Sequence, residues 1–249
     1  MTVVDALILL GGGILAGIAG VGAGLASLFS YPVLLAAGLP PLIANVTNSV
    51  ALTLSTAGAL AGSRPELRDQ GTRVRRYALL AALGGVVGAV LLLTAPEDAF
   101  GYVVPWLIAL ASVALLIRPW LQRLHDDRLH PGHPVVTVGV VVIGVYSGYF
   151  GAAAGVLVLA LLGAVIPEPM RRLNALKNMV VGSSNLIAAT GFAIFGPVDW
   201  WSVLPLAAGC FLGGLAAPWI VRRIPDTPLR IGIGLLGLGL AVKLGIDAY

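Results

Sequence analysis

Lys177 stands in "RRLNALKNMVVGSSNLIAATGF", deep in an apolar run that contains neither Asp nor Glu. A charged side chain in a segment of bilayer length is costly, so it either serves a function or snorkels toward the surface. With no carboxylate in the run, an anionic ligand is the natural partner for the ammonium. At helical spacing Asn174, Asn178 and Asn185 form one stripe, with Lys177 and Ser184 on an adjoining one. A second polar set, Asn45, Thr47, Asn48, Ser49 and Ser55, occupies "ANVTNSVALTLSTAG". Taken singly, each of these polar groups reads as a hydrogen bond between membrane helices.

Glycines supply the other half of the chemistry. "GIAGVGAG" (17–24) and "GVYSGYFGAAAG" (144–155) interrupt two long apolar runs, and each glycine weakens a helix by about 1 kcal/mol relative to alanine. A helix that resumes after such a break presents unpaired N–H groups and the positive end of its dipole, a natural anion site. Gly22, Gly24, Gly151 and Gly155 therefore join Lys177, Asn174, Asn178, Asn185, Ser184, Asn45, Thr47 and Asn48 as candidate substrate-binding residues. Soluble nucleotide motifs do not fit, because no strand precedes the glycines and no lysine follows them.

The elements that must position these groups are membrane helices. Of 249 residues, 58% are hydrophobic and 10% charged, and mean hydropathy is +0.97, which excludes an ordinary soluble domain. Eight apolar segments follow one another, roughly 4–37, 42–62, 77–95, 100–117, 135–165, 174–195, 201–221 and 229–247. The first and fifth are too long for a simple span of ~20 residues. The net charge of +4 resides in short connections rather than on one amphipathic face, so it reads as an orientation signal and not as a nucleic-acid surface. No basic n-region precedes the first apolar run, so a cleaved leader is not expected. Cys210, the single cysteine, reads as a small packing residue.

The two glycine clusters mark a duplication. Gly20 pairs with Gly151 and Gly24 with Gly155 at a spacing of 131, and Thr47 with Lys177, Asn48 with Asn178 and Ser55 with Asn185 at 130. The halves are 1–117 and 135–249, joined by a linker, 118–134. Weak internal symmetry of this kind recurs in secondary transporters.

Arginine placement decides the orientation. If all eight segments cross once, five arginines fall on the wrong face. If the fifth segment enters and returns as a hairpin, all thirteen face the cytoplasm, in 63–76, 118–134, 169–172 and 222–230. The expected fold is thus an all-α polytopic plasma-membrane protein of two inverted four-segment repeats, each a Gly-broken, re-entrant first segment followed by three spanning helices. Irregular backbone at that depth must be buried in protein or line a wet cavity.

Taken together, "GIAGVGAGLASLFSYPVLLAAGLPPLIANVTNSVA" and "GVYSGYFGAAAGVLVLALLGAVIPEPMRRLNALKNMVVGSSNLIAA" resemble the TauE/SafE family of sulfite exporters and anion permeases. The resemblance rests on Gly20, Gly22 and Gly24, then Pro32, then Ala44 to Thr47, with Asn174 to Lys177 in the second half. It implies export of sulfite, a sulfonate or a related organosulfur anion by alternating access. Two departures stand out: Ser147 where the family often has an acid, and Ala152 to Ala154 where it has a Gly-Pro-Gly-like turn. Without that acid, proton coupling would have to use Lys177, Tyr146, Tyr149 or a protonated substrate. No cofactor is implied; the expected partners are a small anion and membrane lipid, with a homodimer left open. A metal site in "HDDRLHPGH" reads less well than a solvated linker, since its prolines and glycine oppose rigid ligation. A non-transporting assembly subunit would leave the duplicated polar stripes without a purpose, and a cation channel would lack its acidic ring.

Overall fold

A computed structural model describes residues 2–62, 67, 70–121, 133–221 and 226–248. The helices are α1 (Val3–Ala23), α2 (Ala26–Ala36), α3 (Pro41–Gly62), α4 (Gly71–Thr94), α5 (Glu97–Leu116), α6 (Arg118–Leu121), α7 (Pro134–Tyr149), α8 (Ala154–Gly163), α9 (Met170–Phe195), α10 (Trp200–Val221) and α11 (Asp226–Ala248). Among the described residues, five stretches are long and apolar enough to cross a bilayer: Val3–Gly20, Gly71–Thr94, Ala99–Leu116, Met170–Phe195 and Arg230–Ala248. Their outward faces carry Leu83, Trp106, Ile194 and Leu236, all exposed, as contact with lipid requires.

Both expected breaks are present, and both fold back. At the first, Gly24 adopts the left-handed conformation (φ 72°) and its N–H donates to the Gly20 carbonyl at 2.9 Å, closing α1. A Cβ built on Gly12 would lie 2.7 Å from Val33 Cγ2, so α2 returns along α1 as a hairpin. At the second, Gly151 (φ 80°) and Ala153 (φ 57°) make the turn. Here a Cβ on Gly139 would lie 2.9 Å from Leu161 Cδ2, which lays α8 along α7. The first break falls at Gly24, four residues beyond Gly20, the counterpart that spacing assigns to Gly151. In consequence α1 is a full 21 residues against 16 for α7, and the two hairpins have unequal first arms.

Rows of glycine join each hairpin to the other half of the chain. On the α1–α10 seam, Gly13 and Gly17 meet the backbone of Leu206 to Cys210, and Gly209 and Gly213 meet the Leu10 and Ile14 carbonyls. On the α4–α7 seam, Gly84 and Gly88 face the Val141 and Val145 carbonyls, while Gly144 and Gly148 face Ala81 and Gly85. A methyl at any of these positions would overlap facing backbone, so only glycine allows the approach. Both pairs run parallel. By contrast α5 and α11, the last helices of the two halves, are antiparallel: Leu116 sits by Gly234, Ser112 by Gly237 and Pro105 by Gly245.

Polar contacts group the connections at two ends. Arg73 pairs with Glu168 (3.4 Å), Arg172 with the same carboxylate (2.9 Å), and Arg76 donates to Thr137 Oγ1 (2.9 Å), so the entries to α4, α7 and α9 share one end. The opposite end is marked by a cleft of about 400 Å³ between Pro40 to Ile43, Gly101, Tyr102, Pro197 and Asp247.

Candidate functional site

The two hairpin tips meet at Lys177. A Cβ built on Gly24 would lie 3.5 Å from Lys177 Nζ and 3.6 Å from the Gly155 Cα, and one on Gly155 would lie 3.2 Å from Lys177 Cδ. The lysine is 3% exposed, two turns into α9. Among the described residues no carboxylate pairs with it. Its ammonium lies at the C-terminal end of α1, where the helix dipole is negative, an interaction worth ~0.3–2 kcal/mol. Burying an ammonium costs several kcal/mol. The dipole therefore offsets part of the penalty and leaves a cation with attraction to spare for an anion. The N-terminal turn of α8, beginning at Ala154 and Gly155, lies against the same side chain with no capping side chain of its own.

One participant escaped the sequence reading. The Arg118 guanidinium, whose Nε and Nη1 are buried, lies close enough to Lys177 to act on it electrostatically. Its position at the start of a basic linker disguised it as an orientation signal. Asn174, half-buried, lies one turn before Lys177 on α9, and Asn178, also half-buried, is partnered. Gly22 lies in the last turn of α1.

The remaining candidates separate into two groups. Asn185 and Gly151 meet at the second tip: Ser147 Oγ donates to Asn185 Oδ1 at 2.8 Å, and a Cβ on Gly151 would lie 3.6 Å from the same oxygen. Beside them Asn45 Nδ2 donates to the Tyr149 carbonyl at 2.9 Å, which ties α3 to the end of α7. Tyr146 closes this tip by donating its hydroxyl to the Ala152 carbonyl (2.6 Å), and Phe150 is wedged edge-on against Tyr31, ring centroids 5.5 Å apart. Asn48, 1% exposed, lies one turn along α3 from Asn45.

Ser184 and Thr47 point away from the tips. Ser184 donates to the Gly144 carbonyl (2.9 Å) at the crossing of α9, α7 and α4. Thr47 Oγ1 accepts the Asp199 N–H (3.0 Å) and holds the turn before α10. The stretch 125–133 lies outside the described residues except for His133, whose Nδ1 accepts the Val135 N–H and caps α7.

Broken helices whose tips close on a buried charge inside a polytopic bundle define a membrane protein of the transporter class. The chain belongs to the sulfite exporter TauE/SafE family, whose model matches residues 6–244. It is similar to the probable membrane transporter protein YfcA of Escherichia coli K12, with 24% identity covering 91% of this chain and 84% of that one. A probable membrane transporter protein of Haemophilus influenzae is 25% identical over 90% of this chain and 88% of its own. Probable membrane transporter protein ORF9 of a Sinorhizobium species is 28% identical over 90% and 86%. No solved structure matches the chain.

Proposed function

We propose that this transporter is a permease for small sulfur oxyanions, sulfite or a sulfonate, that exports them by alternating access around Lys177. The observation that carries the reading is the ammonium itself, 3% exposed, held between Gly24 and Gly155 with no carboxylate partner among the described residues. A tetrahedral or pyramidal oxyanion offers three acceptor oxygens, enough to engage Lys177, the α8 N-terminal N–H groups and the Asn174 amide together. The family's name supports the choice of sulfite.

In this reading, residues 1–117 and 135–249 form inverted repeats joined by a cytoplasmic linker, 118–134. Antiparallel packing of α5 on α11 supports inversion, because equivalent helices of a parallel repeat would run the same way. The Arg73–Glu168 and Arg76–Thr137 contacts support placing 63–76, 169–172 and the linker together on the cytoplasmic face of the plasma membrane, with 222–230 beside them. Each hairpin packs on a helix of the opposite half, and rocking of the two hairpins against the helical scaffold moves the tips relative to one another and exposes Lys177 to alternate sides.

The test is sulfite flux in proteoliposomes. Lys177→Ala and Lys177→Gln should each lower uptake at least tenfold by our estimate, since the buried charge supplies most of the anion's binding energy. Wild-type flux in both variants would refute the assignment.

A further inference from the structure

Two buried carbonyl oxygens point to a second ligand. Asn45 is 0% exposed and Asn48 1%, and among the described residues neither Asn45 Oδ1 nor Asn48 Oδ1 finds a hydrogen-bond donor. The Asn45 amide is oriented by its own contact, since Nδ2 donates to the Tyr149 carbonyl at 2.9 Å and therefore fixes which atom is the free acceptor. Leaving a buried acceptor unmade is costly, and here two lie three residues apart on one face of α3. A bare oxyanion cannot satisfy them, because it brings only further acceptors.

Their place in the fold says what can. Tyr149 is the last residue of α7, so Asn45, which donates to its carbonyl, lies at the negative end of that helix, with Asn48 one turn along α3. At the other tip, the negative end of α1 meets the Lys177 ammonium. Spacing makes Thr47 the counterpart of Lys177, and its hydroxyl is taken up by the Asp199 N–H. One hairpin end thus has a cation built into the chain, and its counterpart has amide and backbone oxygens with no ion pair among the described residues. We infer that Asn45, Asn48 and the end of α7 at Tyr149 form a binding site for a monovalent alkali cation, the mobile equivalent of the Lys177 ammonium. Neutral oxygen ligands without a carboxylate suit a singly charged ion and not a divalent one. Carbonyls at the end of a broken helix are the usual coordinating groups for a coupling ion. That the bound cation drives anion movement rests on the transport reading; that it binds does not.

The experiment therefore contains no anionic substrate. Full-length protein in detergent is titrated with 22Na+ in a choline chloride background, with unlabelled Na+ and K+ as competitors. Saturable binding, displaced by either ion but not by choline, is expected. Asn48→Leu, close in volume but without the acceptor, should weaken binding roughly tenfold or more, and Asn48→Asp, which keeps the shape and adds charge, should tighten it by a similar factor. Asn48→Asp also guards against misfolding of the leucine variant, because tighter binding cannot come from a damaged protein. Absence of saturable binding in the wild type, or affinity unchanged in the aspartate variant, would overturn the inference while leaving the role of Lys177 intact.

Discussion

Gly24 and Gly155 come from opposite halves of the chain and touch: a Cβ on Gly24 would lie 3.6 Å from the Gly155 Cα, and one on Gly155 would lie 3.5 Å from the Gly24 Cα. The contact puts the end of α1 and the start of α8 on either side of Lys177.

Gly24→Ala should act through its backbone. At φ 72° an alanine costs about 1–2 kcal/mol, so the variant should melt several degrees below the wild type. Gly155→Ala has no such strain but would bring a methyl to 3.2 Å from Lys177 Cδ. It should keep its melting temperature within a few degrees by our estimate and lose flux through displacement of the lysine. Thermal unfolding in detergent beside sulfite flux separates the two, and equal melting loss in both would contradict the argument.

Ala153→Gly should stabilise. Ala153 is, among the described residues, a non-glycine residue with positive φ, at 57°, and a left-handed alanine is strained by about 1 kcal/mol. The gain appears as a higher melting temperature. A fall would mean that Ala153, 2% exposed, contributes more by packing its methyl than it loses in backbone strain.

Arg118→Gln should raise the half-saturating sulfite concentration severalfold with little change in maximal flux, because the guanidinium adds positive field around Lys177 and so at the anion. An unchanged concentration dependence would return Arg118 to the linker. The change should be larger at low ionic strength than at high.

Glu168→Cys on a Cys210→Ser background tests orientation. Glu168 is tied to Arg73 and Arg172, so the new thiol should react with a membrane-impermeant maleimide only from the cytoplasmic side. Labelling from outside would sink the inverted arrangement. Loss of the ion pairs themselves should cost no more than ~1 kcal/mol, since all three side chains are partly exposed.

Much of this architecture is legible in the residues. Glycine clusters mark both breaks, because glycine adopts the left-handed turn at Gly24 and Gly151 without a Cβ penalty, and arginine placement groups the ends that Arg73, Arg76 and Glu168 bring together. The first break was readable only to within a turn: 17–24 holds four glycines, and the tertiary contact of Gly24 with Gly155 selects among them. Helical periodicity likewise put Ser184 and Thr47 beside Lys177 and Asn48, yet could not tell a hydroxyl facing the tips from one bound to Gly144 or Asp199. Arg118 was hidden by its neighbours, since one arginine of a basic linker resembles the next until the fold turns it inward.

The glycine seams make each half of the chain depend on the other. Because α1 rests on α10 and α7 rests on α4, the glycine face of each half's hairpin packs on a helix of the other half. Each lends that hairpin to the other, as swapped arms do in a dimer. A single half expressed alone would leave its glycine face without the helix it packs on here.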